Sequence, residues 1–340
     1  MIYSSIYIIV RIPSGGGLVP IGKSLYLDQS GCRSSHWVSC DSINDNGSRG
    51  ISLQVDKDSE QFTGKLLIVE GGEKRIVRLE EDGARTPLIL DVPSVCNKKN
   101  IRLSRPAKIT YTPFGDLLFT ETVECYDETD KESTELSAIY RLKEIVNVPP
   151  ISFRQSRAAH TWTIEDLIQH NPDAKSSVEL SYKGFSFISE VLVGKDLTSL
   201  FVAGSVLRSD GSYRTIIVKM TDDSDAAPKQ LNDAAIFFDM SDFYGFQDIG
   251  DGIAMTMDSV GHLYATFPGG IAIIDSVSGD LLTTIKVAMQ NDKETIHPNS
   301  IIIGKDGYLY MASKTMLLRW KTKSSVMDYP TNLIVPKRKS

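Results

Sequence analysis

Short apolar runs alternate with polar turns along the chain, and the runs recur in a fixed order. Six segments carry a turn, usually with glycine, followed by a hydrophobic stretch anchored on leucine. They are GKSLYLD at Leu25, GKLLIVE at Leu66, GDLLFTE at Leu117, TSLFVAG at Leu200, GHLYATF at Leu263 and GYLYMAS at Leu309. Each is preceded by another apolar run: GLVPI (17–21), ISLQV (51–55), AKITYT (107–112), EVLVG (190–194), GIAMTM (252–257) and NSIIIG (299–304). A third run follows several anchors, as in RIVRLE (75–80), AIYRL (138–142), TIIVKM (215–220), GIAIID (270–275) and MLLRWK (316–321). A fourth sometimes completes the set, as in TPLILDV (86–92), AAIFFDM (234–240) and LLTTIKV (281–287).

Runs of this length, separated by Gly, Asp and Ser, are strands joined by hairpin turns. The pattern predicts a four-stranded antiparallel unit repeated six times. The anchor leucines lie 41, 51, 83, 63 and 46 residues apart, and four-stranded units recurring at about 40–50 residues are the signature of a β-propeller. The expectation is an all-β fold, a six-bladed β-propeller of four-stranded antiparallel blades. One domain is expected over residues 1–325, with residues 1–12 a candidate strand completing a terminal blade and 326–340 a solvated tail. Helical signals are confined to HTWTIEDLIQH (160–170), where Thr163 followed by Glu165 and Asp166 can start one or two turns. Polar stretches at 30–48, 124–135 and about 153–182 read as surface loops on a rigid scaffold.

Composition changes this picture little. The chain has 340 residues, 41% apolar and 24% charged, so it can bury a sizeable core. A net charge of −6 argues against a nucleic-acid-binding surface. No apolar run is long enough for a membrane-spanning helix. The opening MIYSSIYIIV lacks a basic start and is rich in Tyr, Ile and Val, which suits a strand better than a signal peptide. A cytoplasmic protein is expected. The four cysteines, Cys32, Cys40, Cys96 and Cys125, form no C-x-x-C pair, and the five histidines are scattered, which argues against a zinc site of finger type. Free thiols are expected, although Cys32 and Cys40 flank a loop and could pair in an oxidising compartment.

Adjacent blade strands are antiparallel, so residues before a first strand and after a second share one face. Before the first strands stand Gly16, Arg49, Pro106 with Ala107, Ser189 with Glu190, Asp251, and Pro298 with Asn299. After the second strands stand Asp28, Glu70, Glu121, Gly204, Phe267 and Ser313. Convergent carboxylates from Glu70, Glu121, Asp251 and Asp28 suit a hard divalent cation such as calcium. The same acids can equally be separate and solvated.

The segment GDGIAMTMDSVGHLYATFPGGIAIIDSVSGDLLTTIKV (250–287) resembles a blade of the senescence-marker-protein, gluconolactonase and luciferin-regenerating family. HPNSIIIGKDGYLYMASKTMLLRW (297–320), GKLLIVEGGEKRIVRLEEDGARTPL (64–88) and RLSRPAKITYTPFGDLLFTET (102–122) are similar to further segments of that family. The resemblance implies a six-bladed propeller hydrolase, often a lactonase. It implies one divalent cation, calcium or zinc, at the channel mouth, held by a Glu, two Asn and an Asp. The Asp falls on Asp251 and a substrate-contacting Arg on Arg102. The other three ligand positions fall on or near Gly16, Ala107 and Ser189, which do not match. Glu70, Glu121 and Glu190, on the same face, are the expected substitutes around Asp251, and Ser189 and Asn299 are expected to contact substrate.

Two functions follow. One is a metal-dependent hydrolase of lactones or related esters, with Asp251 as metal ligand or general base and Arg102 on the substrate. The other is a non-catalytic propeller that binds a small molecule or a protein at the same face. A hydrolytic triad has no support, because His160 and His297 have no visible partner nucleophile.

Overall fold

The computed structural model of the chain describes residues 7–9, 26–28, 48–56, 61–71, 73–80, 84–96, 100–112, 116–126, 133–142, 149–151, 163–170, 178–221, 229–230, 235–244, 252–287, 296–304, 307–313 and 317–322. The chain divides into two compact units. The first comprises Met1–Tyr111, Gly115–Val123 and Ile139–Leu180, and the second Thr112–Phe114, Glu124–Ala138 and Ser181–Ser340. The chain is all-β, and its antiparallel four-stranded meanders are blades of the β-propeller kind.

The earliest strands, β1 (Tyr7–Ile9) and β2 (Tyr26–Asp28), form a two-stranded antiparallel pair. A four-stranded sheet follows, from β3 (Ser48–Asp56), β4 (Gln61–Glu70), β5 (Arg75–Leu79) and β6 (Arg85–Ile89). A short pair, β7 (Asp91–Pro93) and β8 (Asn100–Arg102), leads on. Then come β9 (Arg105–Tyr111), β10 (Leu117–Tyr126), β11 (Ser133–Leu142) and β12 (Val178–Phe185), joined at the edge by the parallel two-residue β16 (Lys229–Gln230). The third large sheet holds β13 (Phe187–Val193), β14 (Ser199–Leu207), β15 (Tyr213–Thr221) and β17 (Ile236–Asp239). The fourth holds β18 (Met255–Met257), β19 (His262–Phe267), β20 (Gly270–Asp275) and β21 (Leu281–Lys286). The last has three strands, β22 (Ser300–Ile303), β23 (Tyr308–Ala312) and β24 (Leu317–Lys321).

Sequence predicts six blades, whereas the described residues form five sheets of three strands or more, and the first repeat contributes only the β1–β2 pair. Residues 29–47, between β2 and β3, lie outside the described residues.

Burial explains the pattern of runs. The second strands read as continuous apolar runs because both of their faces are covered. Seven successive residues of β14, Ser199–Ser205, are buried. In the second unit Phe201, Ala203 and Ile217 pack with Ile253, Met255, Met257, Leu263 and Ala265 in one core cluster. Ala254, Tyr264 and Ile271 pack with Ile301, Ile303, Leu309 and Met311 in the next. Each large side chain so buried contributes about 1.5–3 kcal/mol. The outer strand β21 is exposed at five of its six residues and correspondingly mixes Leu with Thr and Lys.

The expected helix is present as α1 (Ile164–His170). Thr163 caps it: the Asp166 N–H donates to Thr163 Oγ1 at 3.2 Å, and the Thr163 N–H donates back to Asp166 Oδ2 at 2.8 Å. A second helix, α2 (Ser241–Tyr244), is one turn.

The expectation of free thiols is corrected. Cys96 and Cys125 are each disulfide-bonded, and among the described residues no cysteine is free. Pairing depends on proximity in space, which spacing along the chain does not reveal. Cys32 and Cys40 lie outside the described residues.

Candidate functional site

Three first strands carry an irregularity in their N-terminal half, where they pair with their second strands. In the β3–β4 pair the register shifts between Ser48 and Gly50. In the β9–β10 pair it shifts between Phe119 and Glu121, and in the β13–β14 pair between Ile188 and Glu190. Bulges re-aim side chains and release backbone groups, and they gather beside functional sites. Arg49, Ala107 and Ser189, all expected on the functional face, fall at these shifts.

In the first unit the β4–β5 hairpin fixes Glu70 directly opposite Arg75. Glu70 is fully buried, and its two oxygens accept from different guanidinium groups. Arg75 Nε donates to Oε2 at 2.6 Å and Arg85 Nη1 to Oε1 at 2.8 Å. Arg75 is itself 2% exposed, and among the described residues its Nη1 is buried without a hydrogen-bond partner. Lys74, just before it, holds a left-handed backbone (φ 54°), which a non-glycine residue adopts at a cost.

Glu121 occupies the corresponding place on β10 and is 1% exposed. Its register partner Pro106 has no N–H. The amides of Ser104 and Arg105 instead donate to Glu121 Oε1, at 2.6 and 2.8 Å. Thr120 Oγ1 accepts from the displaced Lys108 N–H at 2.9 Å. Glu121 Oε2 is buried and unpartnered among the described residues. Burial pushes the Glu121 carboxyl up to about 7, against the pull of the Arg105 and Ser104 amides and the charges of Arg105 and Lys74. Burial, and then the nearby Glu121, also raise the Tyr140 phenol, which donates to Pro93 O at 2.8 Å.

Arg102, on β8 opposite Asp91, is exposed. Loss of hydration and then repulsion from Arg75 lower its pKa, while Asp91 and Glu73 raise it. Arg75 and Arg102 therefore belong to one electrostatic group.

In the second unit, Ser189 Oγ donates to Ala203 O at 3.1 Å. A Cβ on Gly252 (φ 68°) would meet Ser189 Cβ at 2.8 Å, so Gly252 is fitted against the bulge. Gly204 stands where the first two sheets have Glu70 and Glu121. A Cβ there would lie 2.2 Å from Phe187 O, so this sheet admits no side-chain ligand at that position. Glu190 is half-buried, and its Oε1 accepts from the Val191 N–H at 3.2 Å. Asn299 donates its N–H to Ala312 O at 2.7 Å, and its Oδ1 is buried without a partner among the described residues.

Of the expected metal set, Glu70 and Glu121 lie in the first unit, Glu190 lies in the second, and Asp251 lies outside the described residues. Among the described residues no three His, Cys, Asp or Glu side chains are grouped so as to hold a metal ion. The first-unit donors do not fit a divalent cation. Both Glu70 oxygens face guanidinium nitrogens, Glu121 spends one oxygen on two amides, and Lys74, Arg75, Arg102 and Arg105 surround them with positive charge. Arg75 and Arg85 are partners of Glu70 that sequence reading missed; the signal for Arg75 was the cross-hairpin pairing in EGGEKR (70–75), and Arg85 had none.

No protein-family model matches the chain, and no curated protein matches it. Among solved structures it is similar to a gluconolactonase from Xanthomonas campestris, at 17% identity and a TM-score of 0.48 over 78% of this chain and 69% of that one. A putative gluconolactonase aligns at 15% identity and a TM-score of 0.48, over 81% of this chain and 78% of that one. A calcium-binding regucalcin from Agrobacterium tumefaciens aligns at 12% and 0.42, over 77% and 67%. At these identities the likeness carries no activity, substrate or metal across to this chain.

Proposed function

We propose that this chain is a β-propeller protein of gluconolactonase-like sequence pattern that binds a small molecule at the bulged end of the first unit's blades, without a divalent cation held by Glu70 and Glu121. The observation that supports it is the commitment of Glu70 to Arg75 and Arg85 at 2.6 and 2.8 Å. A carboxylate bracketed by two guanidinium groups is neutralised in place and offers a cation no lone pair at lower cost. The second reading, a hydrolase of lactones or related esters, draws on one observation. Glu121 keeps an oxygen unpartnered among the described residues and a pKa of about 7, which suits a group that gives and takes protons.

Among the described residues no helix is long and apolar enough to cross a membrane. The disulfide bonds at Cys96 and Cys125 favour an oxidising compartment over the cytoplasm.

The test is a thermal-shift screen of lactones, sugar acids and neutral sugars in the presence of a chelator, paired with a lactone and ester turnover assay. The binding reading expects a stabilising ligand whose effect survives chelation. Lactone turnover that requires a divalent cation and is lost in Glu121→Gln would overturn it.

A further inference from the structure

The bulged end of the first unit is basic. Lys74, Arg75, Arg85, Arg102 and Arg105 gather there with Glu70, Glu73, Asp91 and Glu121. Arg85 and one edge of Arg75 are spent on Glu70. Arg75 Nη1 is not: it is buried, it carries N–H donors, and it has no partner among the described residues. A native protein seldom leaves a charged buried donor unsatisfied. Arg102 is exposed, and its pKa is lowered first by loss of hydration and then by the charge of Arg75, which places the two guanidinium groups within electrostatic reach. Lys74 adds a third charge and is held at a left-handed φ immediately before Arg75.

We propose that Lys74, Arg75 and Arg102 form a receptor for the oxyanion of the ligand, a carboxylate or phosphate group, with Arg75 Nη1 as its buried donor. The proposal rests on the ligand-binding reading and names the chemical class of the ligand. With Nε turned to Glu70, Arg75 offers its remaining edge to a single oxygen, and Arg102 supplies the neighbouring donor. Guanidinium groups suit this role because they stay ionised and direct planar N–H groups at oxyanions.

The test is calorimetric titration of the purified full chain, in chelator and at low ionic strength, with sodium acetate and with inorganic phosphate. Two variants accompany it. Arg75→Lys keeps a charge against Glu70 but removes Nη1, and Arg102→Gln leaves the buried pair intact. The expected result is millimolar or tighter binding of acetate or phosphate, weakened at least about tenfold in each folded variant. Acetate alone identifies a carboxylate ligand, and phosphate alone a phosphate. If Arg75→Lys does not fold, Arg102→Gln decides. Absence of binding by both probes, or variants that bind as the parent chain does, overturns the proposal. A neutral ligand from the thermal-shift screen that still binds would then leave the ligand-binding reading standing, so the two failures are distinguishable.

Discussion

Glu121→Gln separates the burial of a carboxyl from the burial of a charge. The side chain is 1% exposed, with one oxygen held by two amides at 2.6 and 2.8 Å and the other unpartnered among the described residues. Its pKa rises from the ordinary 4.5 to about 7 on folding. Between those values the native state holds a proton that the unfolded state has released, so unfolding free energy falls as pH rises. The stability is fully present below the unfolded pKa and is lost through the folded one. The slope is about 1.4 kcal/mol per pH unit, and the whole loss is about 3 kcal/mol. Glutamine keeps an oxygen for the Ser104 and Arg105 amides and does not titrate. Urea unfolding followed by tryptophan fluorescence at pH 5 and pH 9 reads the difference, because other titrating groups cancel between the two proteins. The variant is expected to gain about 2.5 kcal/mol on the parent chain as pH rises across that interval, part of the loss having already occurred below about pH 5. Parallel pH profiles for the two proteins would refute the reasoning.

Further expectations concern folding. Glu70→Ala leaves Arg75 buried and unpaired and is expected to cost about 3–5 kcal/mol, whereas Arg85→Gln, at the more exposed partner, costs about 1 kcal/mol or less; urea midpoints compare them. Gly204→Ala drives a methyl group into Phe187 O, 2.2 Å away, and is expected to destabilise by at least about 1–3 kcal/mol in the same assay. Alkylation without reductant should leave Cys96 and Cys125 unmodified by mass spectrometry, and reduction should lower stability by about 2–4 kcal/mol.

The blade strands were legible because their burial is two-sided. GHLYATF and GIAIID stand in the structure as β19 and β20, with their apolar runs buried between neighbouring strands. The first repeat is the exception: among the described residues its strand β2 pairs with β1 and with no other strand. At the candidate site, Glu70 and Glu121 hold equivalent register positions in their sheets, but the strand pattern left their chemistry open. For Glu70 the answer lay in Arg75 across the hairpin and in Arg85 fifteen residues on. For Glu121 it lay in the Ser104 and Arg105 amides at the entry to β9, opposite a register shift, and such a shift is a geometric event that a strand pattern does not announce. The disulfides escaped for the same reason, since spacing says nothing of which sulfurs meet.

The central claim is that Glu70 and Glu121 are committed to partners within the first unit instead of holding a metal. Calcium titration of the purified chain by calorimetry, alongside Glu70→Gln and Glu121→Gln, tests it most directly. The account predicts no micromolar calcium site that depends on either residue. Micromolar binding in the parent chain, abolished by either substitution, would contradict it.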